Sequence, residues 1–148
     1  MPDARPFTPQ LLGETEKTLN AILDRQLAGT GLTESLWIGL TLTVADGGTS
    51  DRAALVHRLA GGLKVSEPAA QALIAELTAA QLVHPTGGDT SPVTPTDAGR
   101  QLHGRIRAAV GPITERLWGD LPAEDLATAA RVLGTVLARA NAELAGVA

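Results

Sequence analysis

Apolar residues recur along most of the chain at the spacing of an α-helix. In the segment 8–28 they recur at separations of three, four and seven positions, which places them on one face of a helix. These residues are Leu12, Leu19, Ile22, Leu23 and Leu27. Glycines follow at positions 29 and 31, so we expect the first helix to end before them.

Capping residues and glycines divide the next part of the chain into three further helices. Thr33 is a favourable N-cap for a second helix, which we expect to stop at the glycine pair 47–48. Residues 49–50 are predicted to cap a short third helix that ends at the glycine pair 61–62. Ser66, followed by Glu67 and Pro68, is a strong start signal for a fourth helix.

The helical pattern is interrupted between residues 81 and 95. Two short runs, 82–84 and 93–94, have the character of strands, and the proline- and glycine-rich segment between them predicts a turn. We therefore expect a small β-hairpin with proline at its edge. Thr96 then caps a long fifth helix, and the dipeptide 121–122 separates it from a last helix over residues 123–144.

The last predicted helix repeats apolar residues at an average spacing of about 3.5 positions, which is the spacing of a coiled-coil seam. The seam consists of Leu126, Ala130, Leu133, Leu137, Ala140 and Leu144. Because such a seam packs against another helix, it predicts, together with the apolar first helix, pairing with a second chain.

Composition narrows the class of protein. The chain has 148 residues, 44% of them hydrophobic, and a mean hydropathy of +0.09, which fits one globular domain with or without dimerising extensions. No apolar run approaches the roughly 18 residues of a membrane-spanning helix, and no secretory signal is legible, so we expect a cytoplasmic protein without a membrane partner. The absence of cysteine excludes disulfide scaffolds and thiol chemistry.

The order of the predicted elements is four helices, a hairpin and two further helices, which is the plan of a winged helix-turn-helix protein. Within that plan the sequence resembles the MarR family of bacterial regulators. The resemblance covers about residues 8–146 and is carried by Gly31-Leu32-Thr33 with Leu36-Trp37, Leu59 with Val65-Ser66, Leu77 with Gln81-Leu82-Val83, and Thr96-Asp97-Ala98-Gly99-Arg100.

This resemblance implies a mainly α-helical fold with a small β-hairpin wing, in a single chain over residues 1–148. It implies a winged helix-turn-helix over residues 33–95 and dimerisation helices over residues 8–30 and 96–146. A protein of this plan is expected to be a ligand-responsive transcriptional regulator. It would bind double-stranded DNA as a homodimer and hold a small-molecule ligand where its two layers meet.

The segment that would face DNA is poor in positive charge. Residues 64–99 contain one basic residue against four acidic ones, a net charge of −3. Phosphate contacts depend on Lys and Arg, so two interpretations remain open. In the first, the protein binds DNA through Arg52, Arg58, Lys64, Ser66 and Gln71. In the second, the dimer has lost its DNA role and binds a small molecule or a protein partner, with enzymatic activity in a biosynthetic pathway as one variant.

Polar and aromatic residues near the implied junction of the first, second and fifth helices are candidate ligand contacts. They are Gln26, Trp37, His57, His103 and Arg107. Trp37 is most simply explained as a core residue, and the arginines at positions 100, 105 and 107 as a solvated helix face.

The sequence contains no recognisable motif for catalysis, metal or cofactor binding. It lacks a nucleophile elbow, a P-loop, a dinucleotide fingerprint and a zinc-protease motif. His84 and His103 have no carboxylate at metal-ligand spacing beside them. We therefore assign no catalytic residue, no metal ligand and no cofactor. The expectation leans away from an enzyme, and catalysis in the inter-layer pocket is kept as an alternative.

Overall fold

Six α-helices account for most of the protein in a computed structural model that describes residues 4–146. In chain order they are α1 (Pro9–Leu27), α2 (Glu34–Ala45), α3 (Arg52–Leu63), α4 (Glu67–Ala79), α5 (Asp97–Trp118) and α6 (Ala123–Leu144). The mainly helical character and the order of the helices agree with the sequence prediction.

Side-chain caps begin the helices largely where the sequence predicts. The hydroxyl oxygens of Thr33, Ser66 and Thr96 accept hydrogen bonds from the backbone N–H three residues later, at 3.3, 3.2 and 3.0 Å. Each cap satisfies one of the backbone donors that have no partner inside a helix. The predicted starts of α2, α4 and α5 are therefore confirmed.

Both predicted ends of α3 are wrong by one or two residues. Its N-cap is Asp51, whose carboxylate accepts from the Ala54 N–H at 2.7 Å, because the Ser50 hydroxyl donates to Asp46 instead. The helix also continues through the glycine pair 61–62. It ends where Lys64 adopts a left-handed conformation, with φ of 58°, and donates its N–H to the Ala60 carbonyl.

The predicted β-hairpin is reduced to isolated contacts. Residues 82–84 and 93–94 form no strand in the structure. They pair through one bridge between Val83 and Pro95, which is flanked by hydrogen bonds from the His84 N–H to the Thr94 carbonyl at 2.9 Å and from the Thr96 N–H to the Leu82 carbonyl at 3.0 Å. A second bridge joins Asp51 to Pro92. Because proline has no N–H to donate, Pro92 cannot extend this pairing beyond Thr94, and the ladder that the sequence pattern predicts stops there.

An aliphatic core joins α2, α3 and α4. Leu40, Leu59 and Leu77, one from each helix, are at most 1% exposed. The close approach of α2 and α4 depends on Gly39, because a Cβ at this position would lie 3.2 Å from the Leu77 side chain. The same core extends to α1 through Leu27 and to α5 through residues 102 and 106.

The chain divides into two compact units, and the boundary falls inside α5, between Val110 and Gly111. The first unit contains the core described above. The second contains the end of α5 and all of α6, which has no buried residue in the described chain. Its large exposed apolar side chains are Leu117, Trp118, Leu121, Val132, Leu133, Val136, Leu137 and Leu144.

Gly99 provides a test of the packing at the start of α5. A Cβ at this position would lie 2.1 Å from the Leu82 carbonyl oxygen, which is backbone and cannot rotate away. We expect Gly99→Ala to lower the free energy of unfolding in urea by at least about 2 kcal/mol, in the range of overpacked cores. Gly104→Ala is the matched control, because its Cβ meets nothing within 4 Å. It should stabilise the same helix by roughly 0.5–1 kcal/mol. Equal effects of the two variants would contradict the predicted clash.

Candidate functional site

The predicted DNA-contact residues all lie on α3, α4 or the turn between them. Arg52 and Arg58 belong to α3, Lys64 follows its last residue, and Ser66 is the N-cap of α4. Gln71 is exposed on α4. We call this region the α3–α4 surface and define it by these five residues.

Each basic side chain of the α3–α4 surface has a partner within the chain. The Arg52 guanidinium donates to the Thr86 hydroxyl at 3.1 Å, which ties the start of α3 to the loop that follows α4. Lys64 Nζ donates to the Gly61 carbonyl at 2.7 Å. One nitrogen of Arg58, Nη1, lies 3.1 and 3.0 Å from the two carboxylate oxygens of Asp46.

Asp46 is held as an anion by its surroundings. The Ser50 hydroxyl donates to its carboxylate at 2.5 Å. This hydrogen bond, and to a smaller extent Arg58, keeps the pKa of the Asp46 carboxyl below its ordinary value, against the opposing effect of burial. A carboxylate with a lowered pKa stays charged at neutral pH, so the ion pair with Arg58 is present under physiological conditions.

Acidic residues occupy the exposed part of α4. Glu67 is its first residue, and Glu76 lies further along the helix, whereas α4 contains no Lys or Arg. Glu67 carries its negative charge at the helix N-terminus, where it interacts favourably with the helix dipole but repels an approaching phosphate. Its carboxylate is 3.8 Å from His57 Nδ1. The structure thus places His57, a predicted ligand contact, within α3 and beside the first turn of α4.

Two other predicted ligand contacts form a stacked pair between α2 and α5. The rings of Trp37 and His103 have centroids 4.9 Å apart and an interplanar angle of 20°. Trp37 also packs against the core. His103 Nε2 is buried without a hydrogen-bond partner, and so is the hydroxyl oxygen of Thr41, one helical turn beyond Trp37. Polar atoms left in this state are uncommon in folded proteins.

The surroundings of His103 favour its neutral form. Burial lowers its pKa, and the positive charge of Arg107, four residues further along α5, lowers it again. Arg107 is also a predicted ligand contact. The structure therefore brings three of the five predicted residues into one cluster, in which Trp37 and His103 are in contact and Arg107 acts on His103 through its charge.

A groove of about 320 Å³ lies between the end of α1 and one face of α5. It is lined by Gln26, Gly29, Thr30, Leu102, Arg105, Ile106 and Ala109. The Gln26 amide and the Arg105 guanidinium form no hydrogen bond or ion pair with the described residues, so both remain available to a ligand. The apolar floor between them is aliphatic.

Sequence reasoning finds Gln26 in this groove and misses Arg105. Residues 102, 105, 106 and 109 are spaced by three, four and seven positions, which is the pattern of one helix face. That pattern is present in the sequence, but its arginine is equally compatible with a solvated face.

Two further classes of site are not found within residues 4–146. No group of three or more His, Cys, Asp or Glu side chains is arranged to hold a metal ion in this range. None of the helices there combines the length and apolar character that crossing a membrane requires.

The lowered pKa of His103 generates a pH prediction. The folded protein binds a proton at His103 less tightly than an unfolded chain does. The neutral ring therefore contributes to the free energy of unfolding fully above about pH 6.5, and this contribution is lost as the pH falls through the pKa of the folded state. We expect Arg107→Gln to move the His103 titration midpoint upward in an NMR pH series of the ring protons, because it removes the neighbouring positive charge.

Arg105→Gln is the matched control for this titration. It removes the same charge from the same helix, but Arg105 does not act on His103. An equal upward movement in both variants would show that overall charge, and not the position of Arg107, sets the His103 pKa.

Comparisons with known proteins bear on the fold. No protein-family model matches the sequence, and no curated protein matches it significantly. Among solved structures, a MarR protein from Peptoclostridium difficile is 18% identical, with 100% of this chain and 96% of that chain covered and a TM-score of 0.75.

A MarR-family protein of Mycobacterium tuberculosis is similar in two of its complexes. Its complex with DNA is 23% identical, covers 89% of this chain and 98% of that chain, and has a TM-score of 0.63. Its complex with salicylic acid is 24% identical, covers 88% and 98%, and has a TM-score of 0.62. The resemblance found in the sequence is thus confirmed by structure, and the chain has the fold of MarR-family transcriptional regulators.

Proposed function

We propose that this protein is a ligand-responsive transcriptional regulator that binds DNA as a homodimer in the cytoplasm. The observation that carries the proposal is the match to the MarR-family protein of Mycobacterium tuberculosis in its complex with DNA, which spans 89% of this chain and 98% of that one.

The proposal assigns DNA recognition to residues 33–95. In it, α4 enters the major groove as the recognition helix, with Ser66 at its start and Gln71 on its exposed side. The loop after α4 takes the place of the wing. It is anchored to the start of α3, because the Arg52 N–H donates to the Ser91 carbonyl at 2.9 Å and its side chain donates to Thr86.

The homodimer is assigned to the terminal helices, over residues 8–30 and 96–146. The supporting observation is α6, which has no buried residue and exposes Leu133, Leu137 and Leu144 of the predicted seam. The side chain of Leu137, in the middle of this helix, is 59% exposed. A second copy of the same helix would cover this face with matching apolar spacing, as in a coiled coil.

The ligand is assigned to the groove beside α5. Arg105 and Gln26 offer a positive charge and an amide above an aliphatic floor, which suits a small molecule with an anionic group and an apolar body. The mycobacterial relative was solved with salicylic acid, a molecule of that chemistry. A bound ligand would change the separation of the two α4 helices of the dimer, so that they no longer fit successive major grooves.

A second candidate function is a dimer that binds a small molecule or a protein partner and no DNA. The observation that favours it is the state of the α3–α4 surface. Its three basic side chains are all engaged within the chain, and residues 64–99 carry a net charge of −3. A protein that neutralises few phosphates loses most of its DNA affinity at physiological salt.

Fluorescence anisotropy with a random-sequence DNA duplex distinguishes the two functions. We expect binding at about 50 mM salt that weakens as salt is added, with a slope of roughly −0.9 in log Kobs against log[salt] for each phosphate contact. Three basic residues per protomer allow no more than about six such contacts in a dimer, so the slope should not be steeper than roughly −5.4. No binding at low salt would reject DNA recognition and favour the second candidate.

Leu137→Glu tests the dimer. A charge in the centre of the α6 seam should convert the protein to monomers in sedimentation or light scattering, because an unpaired charge would be buried between two chains. Thr135→Glu places the same charge on the opposite side of α6 and should leave the mass unchanged. A dimer that tolerates Leu137→Glu would place the interface elsewhere.

A further inference from the structure

We infer that Asp46 restricts DNA binding by occupying Arg58 in the manner of a phosphate. This inference rests on the proposed function, because it concerns the affinity of the α3–α4 surface for DNA. Guanidinium groups bind carboxylates and phosphates alike, and the Asp46 carboxylate neutralises and orients the Arg58 guanidinium through Nη1. The attraction of Arg58 for a DNA phosphate is therefore weakened.

The Asp46 carboxylate is fixed in place by the turn between α2 and α3. Asp46 is the C-cap residue of α2, and the Ser50 hydroxyl donates to its Oδ2 at 2.5 Å. The Ser50 carbonyl in turn accepts from the Val93 N–H at 3.0 Å. The Asp46 side chain is 20% exposed. It is therefore an ordered acceptor, unlike the flexible carboxylates of most surface ion pairs, which contribute little.

Arg58 is the more exposed partner and lies at the surface where DNA is proposed to bind. Its side chain is 48% exposed. The preceding residue, His57, faces Glu67 at the first turn of α4. If Arg58 turned towards a phosphate, it would leave the Asp46 carboxylate charged and without its cation, close to the DNA. Both the lost ion pair and the remaining negative charge oppose binding.

The consequence is a lower affinity of the α3–α4 surface for DNA. Arg58 contributes its full charge to phosphate contacts only when its contact with Asp46 is given up, so the positive charge available per protomer is lower than the sequence suggests. Asp46 would therefore be a residue that sets DNA affinity without contacting DNA.

The test compares Asp46→Asn with Asp51→Asn in the full-length protein and uses the same random-sequence duplex. The Asp46→Asn side chain keeps an oxygen that accepts from Ser50 but loses the charge that holds Arg58. Asp51→Asn removes the same charge five residues away, and asparagine is an equally good N-cap for α3. The thermal unfolding of both variants, measured by circular dichroism, establishes that they are folded.

We expect Asp46→Asn to tighten binding at about 50 mM salt by roughly threefold to tenfold, from the released ion pair and the new phosphate contact. The slope of log Kobs against log[salt] should become steeper by about 0.9 for each Arg58 that contacts a phosphate. In Asp51→Asn the gain should be smaller and the slope unchanged. In the double variant Asp46→Asn with Arg58→Gln, the gain of Asp46→Asn should disappear.

The outcomes separate this inference from the function on which it rests. If the wild type binds DNA and Asp46→Asn binds no better than Asp51→Asn, the role of Asp46 is overturned and DNA binding stands. If the gain persists when Arg58 is replaced, it comes from overall charge, and the role of Asp46 is again overturned. If no variant binds DNA at low salt, both proposals are wrong.

Discussion

The aliphatic contact of α2 with α3 and α4 is the interaction on which the other features of the first unit depend. Leu40, Leu59 and Leu77 are fully buried in one apolar cluster, and Gly39 lets α2 and α4 approach closely. This contact buries Ala70, Ile74 and Leu77 of α4 and leaves Gln71 and Glu76 on its exposed side. It also orients α2, whose Trp37 stacks on His103 of α5.

Charge is distributed unevenly over this framework. The basic residues of α3 and its C-terminal turn have intrachain acceptors, whereas Arg105 and Arg107 on α5 form no hydrogen bond or ion pair with the described residues. One of these two arginines lines the groove, and the other lowers the pKa of His103. Arg105 is thus available to a partner at the groove, whereas the basic side chains of the α3–α4 surface are engaged within the chain.

Local physical chemistry explains which parts of the structure could be predicted from the sequence. The hydroxyls of Thr33, Ser66 and Thr96 each accept a hydrogen bond from the backbone N–H three residues later. Because both partners lie within four consecutive residues, the start of the helix can be predicted from the local sequence. The predicted α3 cap is misplaced because the Ser50 hydroxyl donates to the Asp46 carboxylate instead. The hairpin is overestimated because two short runs around a turn predict strands, while Pro92 has no N–H with which to extend the pairing.

The candidate sites are less predictable, because they depend on contacts between distant residues. The stack of Trp37 on His103 joins residues from α2 and α5, and the pair of Arg58 with Asp46 joins α3 to the end of α2. From the sequence alone, Arg58 is predicted to be available for DNA, because its contact with Asp46 becomes known only in the folded structure. Likewise, the sequence predicts a solvated Arg105, because the groove that it lines is formed with the end of α1, which is distant in the chain.

A helix that buries no side chain has little reason of its own to remain helical. α6 has 22 residues, and most of the stability of a helix in a protein comes from the packing of its apolar face rather than from its intrinsic propensity. In the proposed homodimer, the free energy that orders α6 comes from association, so folding of this part of the chain and assembly are one equilibrium. Cellular abundance would then determine the structured fraction: a scarce protein would be partly unfolded and exposed to proteases, and an abundant one would be protected.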